Sequence, residues 1–399
     1  MMKSWDVFSK TNQTDLRSTF YDSVALINQE HWNTVVGSNN IYLSLNYLQA
    51  IEESLKELSS FKYVLFHNEA LEPVAAAYFQ ILNFVDTGKK YGDELGKLGE
   101  HVKHKILGNI DLKVMICGNA FSCGENGFVY SDTISPKEAF GNLSNAIFKL
   151  RRSETIDGKV SIVLLKEFWP ETFEKSDGLK QNGFRDFKID VNMVLDIHHS
   201  WKSTDDYLTS LTSKYRTKAK QVYKKSEALV IEKLGVDAIN THAKEIEELY
   251  TNVLNKADFK FGELNAKAFC LLKKHLGDNF IFRGYFLENK LIGFSTAYYY
   301  NNILDANYVG INYDYNQSYA LYQRMLYDHV EEAIDKQVTV LRLGRTAELI
   351  KSSLGAKPVD MKLYIKHTNV ISNQLIKPVI DAISPSAFEL RQPFKAEFT

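Results

Sequence analysis

The densest chemistry in this sequence is a run of cations. Lys214, Arg216, Lys218, Lys220, Lys224 and Lys225 put six positive charges between 214 and 225 with no acid among them, although the chain of 399 residues has a formal net charge of −1. Such a run makes a local field that the overall balance conceals. It reads either as a platform for substrate phosphates or as a solvated helix face. A second pair, Arg345 and Lys351, lies about two turns apart on a short helix. These two either bind an anionic substrate, or Lys351 covers apolar surface with its stem. The third candidate is main chain. Between 311 and 320 a strand gives way to a long helix, and the first N–H groups of a helix lack partners within it and attract anions.

Other constellations are thin. His101 with His104, and His198 with His199, lack the acid or thiol partners a metal site needs. Cys117, Cys123 and Cys270 have no base beside them in sequence and cannot build a disulfide framework. The sequence contains no P-loop, G-x-G-x-x-G or G-x-S-x-G. Tyr298-Tyr299-Tyr300 suits base stacking, but strands favour Tyr for packing alone.

The elements that must position these groups follow from period. Phe280 onward reads as strand 280–287, a turn at Asn289-Lys290, strand 291–300, strand 303–311, helix 317–335, strand 338–343, helix 346–354 and strand 360–367. Thr346 is placed to cap the short helix and Gly355 to stop it. A meander running into a β-α-β crossover requires a mixed sheet, so the class is α+β (mixed α/β). The first half offers the same order. Its helices are 20–33 and 44–58, its strands 61–67, 74–84 and 110–117, then come a helix from Pro136, strand 160–165, helix 170–182 and strand 187–197. The second half opens with strand 227–234 and helices 240–255 and 265–276. We read an internal duplication: a first half over 1–200, a second over 201–367 that begins with the basic helix 203–226, and a tail over 368–399 that packs on the body. The Gly-rich loop 118–128 replaces the compact strand-to-helix turn of the second half. The first copy is therefore expected to be degenerate for a cofactor.

The segment Leu343-Gly344-Arg345-Thr346-Ala347-Glu348-Leu349-Ile350-Lys351-Ser352-Ser353-Leu354-Gly355-Ala356 resembles the G-R-x(5)-K-x(2–3)-G stretch of the FemAB/FemX-like and BioF2-like branch of the GNAT acyltransferases. The resemblance covers 280–367 well and 203–279 more weakly. It implies tandem GNAT-like domains, each a mixed central sheet flanked by helices. It also implies an N-acyltransferase moving an acyl or aminoacyl group from a thioester or ester carrier to an amine of a cell-envelope or small-molecule acceptor. In that family a splayed third strand and the next helix hold the donor, which here points to Gly310, Ile311, Asn312, Ser318, Tyr319, Ala320 and Leu321. Proton transfer falls to Asp305, Tyr308 or Tyr313. The acceptor side falls to Arg216, Asp258, Glu263, Arg345 and Lys351. The family's R/Q-x-x-G-x-G/A loop is Tyr315-Asn316-Gln317-Ser318-Tyr319-Ala320 here, and only Ala320 keeps the pattern. Three donors stay open: acyl-CoA or acetyl-CoA, aminoacyl-tRNA, or none retained. The alternative from another class is a non-catalytic protein binding an anionic glycan, lipid or RNA ligand through the basic helix.

A hydrophobic content of 45%, with 13% aromatic residues, is enough for large cores. Near-zero net charge argues against a nucleic-acid packaging role, and DNA is not an expected partner. No apolar run reaches the ~20 residues of a membrane span, and no secretory segment opens the chain. Few cysteines fit a cytoplasmic setting. No metal is expected.

Overall fold

Runs rich in Val, Ile, Phe and Tyr become strands, and stretches with apolar residues three and four apart become helices. The computed structural model describes residues 5–7, 16–38, 40–84, 112–124, 127–188, 191–256, 264–381 and 388–398. Up to residue 200 the strands are β1 (Trp5–Val7), β2 (Arg17–Tyr21), β3 (Ser59–His67), β4 (Pro73–Phe84), β5 (Leu112–Cys117), β6 (Phe128–Tyr130), β7 (Val160–Phe168), β8 (Arg185–Lys188) and β9 (Asn192–Asp196). The helices there are α1 (Gln29–Val36), α2 (Leu45–Leu55), α3 (Pro136–Leu150), α4 (Phe173–Ser176) and α5 (Gly178–Gln181). Next come α6 (Thr204–Ser210), α7 (Ser213–Lys225), β10 (Val230–Lys233), α8 (Val236–Thr241), α9 (Ala243–Leu254), α10 (Ala266–Leu276), β11 (Phe280–Leu287), β12 (Lys290–Tyr300) and β13 (Ile303–Ile311). The rest are α11 (Tyr313–Tyr319), α12 (Leu321–Asp335), β14 (Val340–Arg342), α13 (Glu348–Ser352), β15 (Lys357–Val359), β16 (Lys362–His367) and α14 (Val370–Asp381).

The first sheet runs β1-β2-β3-β4-β5-β7-β16-β8, with β6 also on β4; the second runs β10-β11-β12-β13-β14-β9-β15. From β2 and from β10 onward the two orders match strand for strand. In each, one parallel pair (β5–β7, β13–β14) interrupts antiparallel pairing. The duplication is therefore present in the topology.

The exchange of last strands departs from the sequence expectation. The stretches 187–197 and 357–367 each break into two strands, and the second piece of each enters the other sheet. β9 pairs with β14, and β16 pairs with β7. The compact units are accordingly Met1–Ile189 with Met361–Pro385, and Asp190–Asp360 with Ser386–Thr399. The strand over 360–367 thus belongs to the first sheet instead of closing the second half.

Several helices also differ from their sequence boundaries. The basic helix breaks at Leu211–Thr212, because Thr212 N–H donates to Pro393 O at 2.8 Å and Lys395 N–H to Ser210 O at 3.0 Å. The end of the chain thereby packs on unit two, with Phe394 against Trp201 and Tyr207. The helix expected over 20–33 begins at Gln29, where the Asn28 side chain caps it. Ser135 caps α3 and Pro136 occupies its first turn, as the sequence suggests.

Each unit has its own core. Phe20, Phe66, Phe79, Leu143, Leu165 and Tyr364 pack in unit one. In unit two α12 covers one face of the sheet, with Leu326 and Val330 against Leu304, Ala297 and Leu341. On the other face Phe269 and Tyr250 meet Phe294 and Tyr308.

Candidate active site

The site is built from an irregular seam in the second sheet. Pairing between β12 and β13 runs Ser295↔Val309 and then Ala297↔Ala306, so Thr296 alone faces Asn307 and Tyr308. Its side chain repairs the ladder there. Thr296 Oγ1 donates to Tyr308 O at 3.1 Å and accepts from Tyr308 N–H at 2.9 Å. A bulge of this kind bends a strand and re-aims the residues beyond it. On the other edge β13 pairs with β14 only at Ile303↔Val340, Leu304↔Leu341 and Asp305↔Arg342. From Ala306 to Ile311, β13 runs on past the last rung with β14. In unit one the matching seam carries pairs from Lys113↔Val160 through Cys117↔Leu165. There, Lys166 Nζ donates to Asn119 O at 2.8 Å and to Ser122 O, and Glu167 Oε2 accepts from Gly124 N–H at 2.8 Å. The Gly-rich loop is thus fastened over a closed seam.

Gly310 does not cause the irregularity. It leaves room for its neighbours: a Cβ there would lie 2.1 Å from Phe294 Cε1 and 2.9 Å from Leu249 Cβ. Ile311 O accepts from Asn252 Nδ2 at 3.3 Å.

The long helix begins later than its sequence suggests. Asn312 caps α11, accepting from Asp314 N–H at 3.1 Å, and α11 ends at Ala320 in the left-handed region (φ 49°). Ser318 and Tyr319 therefore sit in the last turn of a short helix, and their amides are not the free start of the long one. Ala320 and Leu321 are buried. The Tyr322 amide, in the first turn of α12, donates to Asn316 Oδ1 at 2.9 Å. The chain's own carboxamide thus takes the place expected for a phosphate oxygen.

Asp305 is brought together with Tyr300 and Arg342, not with Tyr308. Tyr300 OH donates to Asp305 Oδ2 at 3.4 Å, and Arg342 Nη1 donates to Tyr300 OH at 3.0 Å. Burial first, then the Asp305 charge, pushes the Tyr300 phenol up. Asp305 occupies the last rung before β13 and β14 part. Tyr308 is buried among Phe269 and Tyr250.

Tyr313 lies just past the seam, half-buried, with Lys256 Nζ 3.3 Å from its ring centre and its phenol pushed up by burial. Two residues that sequence reasoning misses join it. The Tyr322 phenol is raised by burial first, then by Tyr313 and by Glu348 in the first turn of α13. Tyr313 and Tyr322 pack against the same small core of Ile292, Ile311, Leu321 and Met325, and the Glu348 charge acts on the Tyr322 phenol from the start of α13. That set can pass a proton to or from a reacting amine. The acid at the start of a short helix is a visible signal, but only the fold lets its charge act on Tyr322.

The Gly344–Gly355 segment turns tightly after β14. Gly344, Thr346 and Ala347 all have positive φ (70°, 63° and 55°). Such a conformation is costly for a β-branched residue, about 1–3 kcal/mol. Ala347, not Thr346, is the N-cap of α13 and makes no side-chain cap. Lys351 neither binds at the surface nor covers it. It is 3% exposed, and its ammonium donates to Arg345 O at 2.6 Å and Gly344 O at 3.3 Å. Its role is to hold the loop. Arg345 sits on that loop, ahead of the helix and partly exposed.

The basic helix α7 stands beside this region. Lys225 Nζ donates to Gln317 O in α11 at 3.4 Å, and Arg324 of α12 stacks 4.9 Å over Tyr223 and bonds Ser226 Oγ at 3.0 Å. Lys214, Lys218, Lys220 and Lys224 are exposed, while Arg216 is half-buried. Asp258 and Glu263 lie outside the described residues. Among the described residues, no cluster of His, Cys, Asp or Glu could hold a metal ion, and no helix is long and apolar enough to cross a membrane.

No family model matches the sequence, and no curated protein matches it. Solved structures do resemble it. FemX superposes with a TM-score of 0.57 at 13% identity, over 88% of this chain and 98% of that one. This is a tandem GNAT fold of the FemX kind. A C-terminal DUF2156 domain attributed to a lysylphosphatidylglycerol synthetase of Agrobacterium fabrum gives 0.51 at 10% identity, over 89% and 96%. A tandem GNAT protein from the clavulanic acid biosynthesis pathway gives 0.51 at 8% identity, over 88% and 99%. At such identities the likeness establishes the fold. Within that fold, β13 of unit two runs on past its last pair with β14, whereas β5 of unit one stays paired with β7 through Cys117.

Proposed function

We propose that this FemX-like chain is an N-acyltransferase whose unit two carries the reaction and whose unit one has lost its donor site. The observation that supports this is the contrast between the two seams: β13 continues beyond its last rung with β14, whereas β5 stays paired with β7. An extended acyl arm can pair with main-chain groups of Ala306–Ile311, which aligns its carbonyl near Tyr313, Tyr322 and Glu348. Glu348 takes the proton from the attacking amine, and a phenol donates to the leaving group. Because Asn316 occupies the Tyr322 amide, the carrier's phosphates are held elsewhere. The exposed lysines of α7, beside α11, are the cations that suit them. This favours an aminoacyl ester carrier such as aminoacyl-tRNA over coenzyme A. The acceptor is an amine of a cell-envelope precursor or a small molecule, met by Arg345 and Arg216 if it is anionic.

The test offers the protein acetyl-CoA and aminoacyl-tRNA separately with amine acceptors and detects the amide by mass spectrometry. Transfer from the ester carrier, falling at least tenfold in Glu348→Gln and steeply with salt, supports the reading. Transfer from acetyl-CoA that improves in Asn316→Ala reverses the donor assignment. A second reading draws on the exposed lysines alone: a non-catalytic protein binding an anionic glycan, lipid or RNA. Salt-sensitive binding without turnover of any donor favours it.

A further inference from the structure

We propose that the outward face of α14, with the cations around its start, is a seat for an anionic lipid surface. The inference is independent of the transferase reading, since it concerns unit one. The helix is fixed in rotation. Asn369 Oδ1 accepts from Ile371 N–H at 2.9 Å and Ser372 N–H at 3.1 Å, capping its start. Asn373 turns inward: its side chain accepts from His367 N–H at 2.8 Å and donates to Gly183 O at 2.9 Å, and its carbonyl accepts from Arg185 Nε at 2.7 Å. Ile376 is also inward, at 7% exposure. That leaves Val370, Ile371 and Leu375 turned out, at 74%, 69% and 55% exposure. Ile371 and Leu375 are one turn apart on the same stripe.

In sequence α14 looks a poor membrane helix, because it holds a single lysine, Lys377. The fold supplies the missing cations from other elements. Arg152 lies 4.3 Å and Arg151 5.9 Å over the ring of Phe148, itself an exposed apolar group. Lys366 and Lys159 complete the group. Lys366 Nζ donates to Asn182 O at 2.6 Å, next to the Gly183 carbonyl that Asn373 holds, and lies 5.3 Å over the Phe184 ring, which shares a core with Leu150, the neighbour of Arg151. Thr368 N–H donates to Ser161 O at 2.9 Å, in the strand that Lys159 precedes. His367 is not one of them, because burial and the Lys159 charge hold its imidazole below the ordinary value. Glu154 and Asp157 are the acids on the adjoining loop. Exposed aliphatics bordered by cations suit the boundary between headgroups and acyl chains. A second copy fits less well, because a two-fold contact through this patch would bring its cations against themselves.

The test is sedimentation of the full chain with vesicles of phosphatidylcholine alone, or of phosphatidylcholine and phosphatidylglycerol in equal parts. Binding is expected to the mixed vesicles only, weakening with salt. At about fivefold per charge, Arg152→Gln with Lys159→Gln should lower partition about twenty-five-fold. Ile371→Ser with Leu375→Ser should lower it at least as much without changing the unfolding midpoint. No sedimentation with the mixed vesicles overturns the proposal. So does binding that both pairs leave intact, or that only Lys220→Gln with Lys224→Gln removes. Full displacement by glycerol phosphate, or a dimer in sedimentation velocity that Ile371→Ser with Leu375→Ser abolishes, would equally overturn it.

Discussion

Replacing Thr296 tests whether one hydroxyl maintains the bulge that opens the seam. Thr296 is fully buried, and its Oγ1 makes two hydrogen bonds to the Tyr308 main chain, at 3.1 and 2.9 Å. Thr296→Val keeps the shape and removes both bonds. Stripping buried main-chain groups of partners costs about 1–3 kcal/mol each, so we expect a loss of about 2–4 kcal/mol after the valine methyl offsets part of it. Thr296→Ser keeps the hydroxyl and removes a methyl, at about 1 kcal/mol. Hydrogen exchange of peptides covering 290–311, measured through a urea series, reads the local stability. Valine should loosen this segment more than serine and slow acyl transfer more. A valine variant as stable as the serine one, or more stable, would refute the hydroxyl's role.

The other predictions concern single residues. Lys351→Met leaves two loop carbonyls without their donor in a dry site and should destabilise unit two by about 2–4 kcal/mol, with faster proteolysis at 343–347. Gly355→Ala meets both a positive φ of 102° and the Phe394 ring, 2.0 Å from the new Cβ. It should release residues 388–398, read as a gain in their exchange rate. His329 is fully buried, and burial, then the charges of Arg283 and Lys351, holds its imidazole down to about 3. The folded ring stays neutral while the unfolded one takes a proton below about 6.5. This contribution is therefore complete above that pH and is lost as pH falls, by about 1.4 kcal/mol per unit. His329→Gln should remove that slope from the pH dependence of unfolding.

How far the sequence reveals this architecture depends on the range of the interaction. Strands β11 to β13 and the inner face of α12 are written in local periodicity, and the duplicated order comes from it. The strand exchange is not, because 187–197 and 360–367 each read as the last strand of their own half and their partners lie far away, Lys362 beside both Phe168 and Lys188. The start of α12 is hidden for a different reason. Its break falls at Ala320, a residue that seldom adopts the left-handed conformation, so no glycine marks it. Lys351 reads as a surface residue because nothing local shows that the loop's carbonyls will turn toward it. Tyr313 is legible from its place after a strand, whereas the effect of Glu348 on Tyr322 arises only in the fold.

The central claim is that an acyl donor lies along β13 where it leaves β14. The most direct measurement is amide hydrogen exchange with and without a saturating, non-hydrolysable donor analogue. The account predicts new protection in 306–311 and none in 112–117. Protection confined to 213–225, or none in 306–311 despite bound donor, would contradict it.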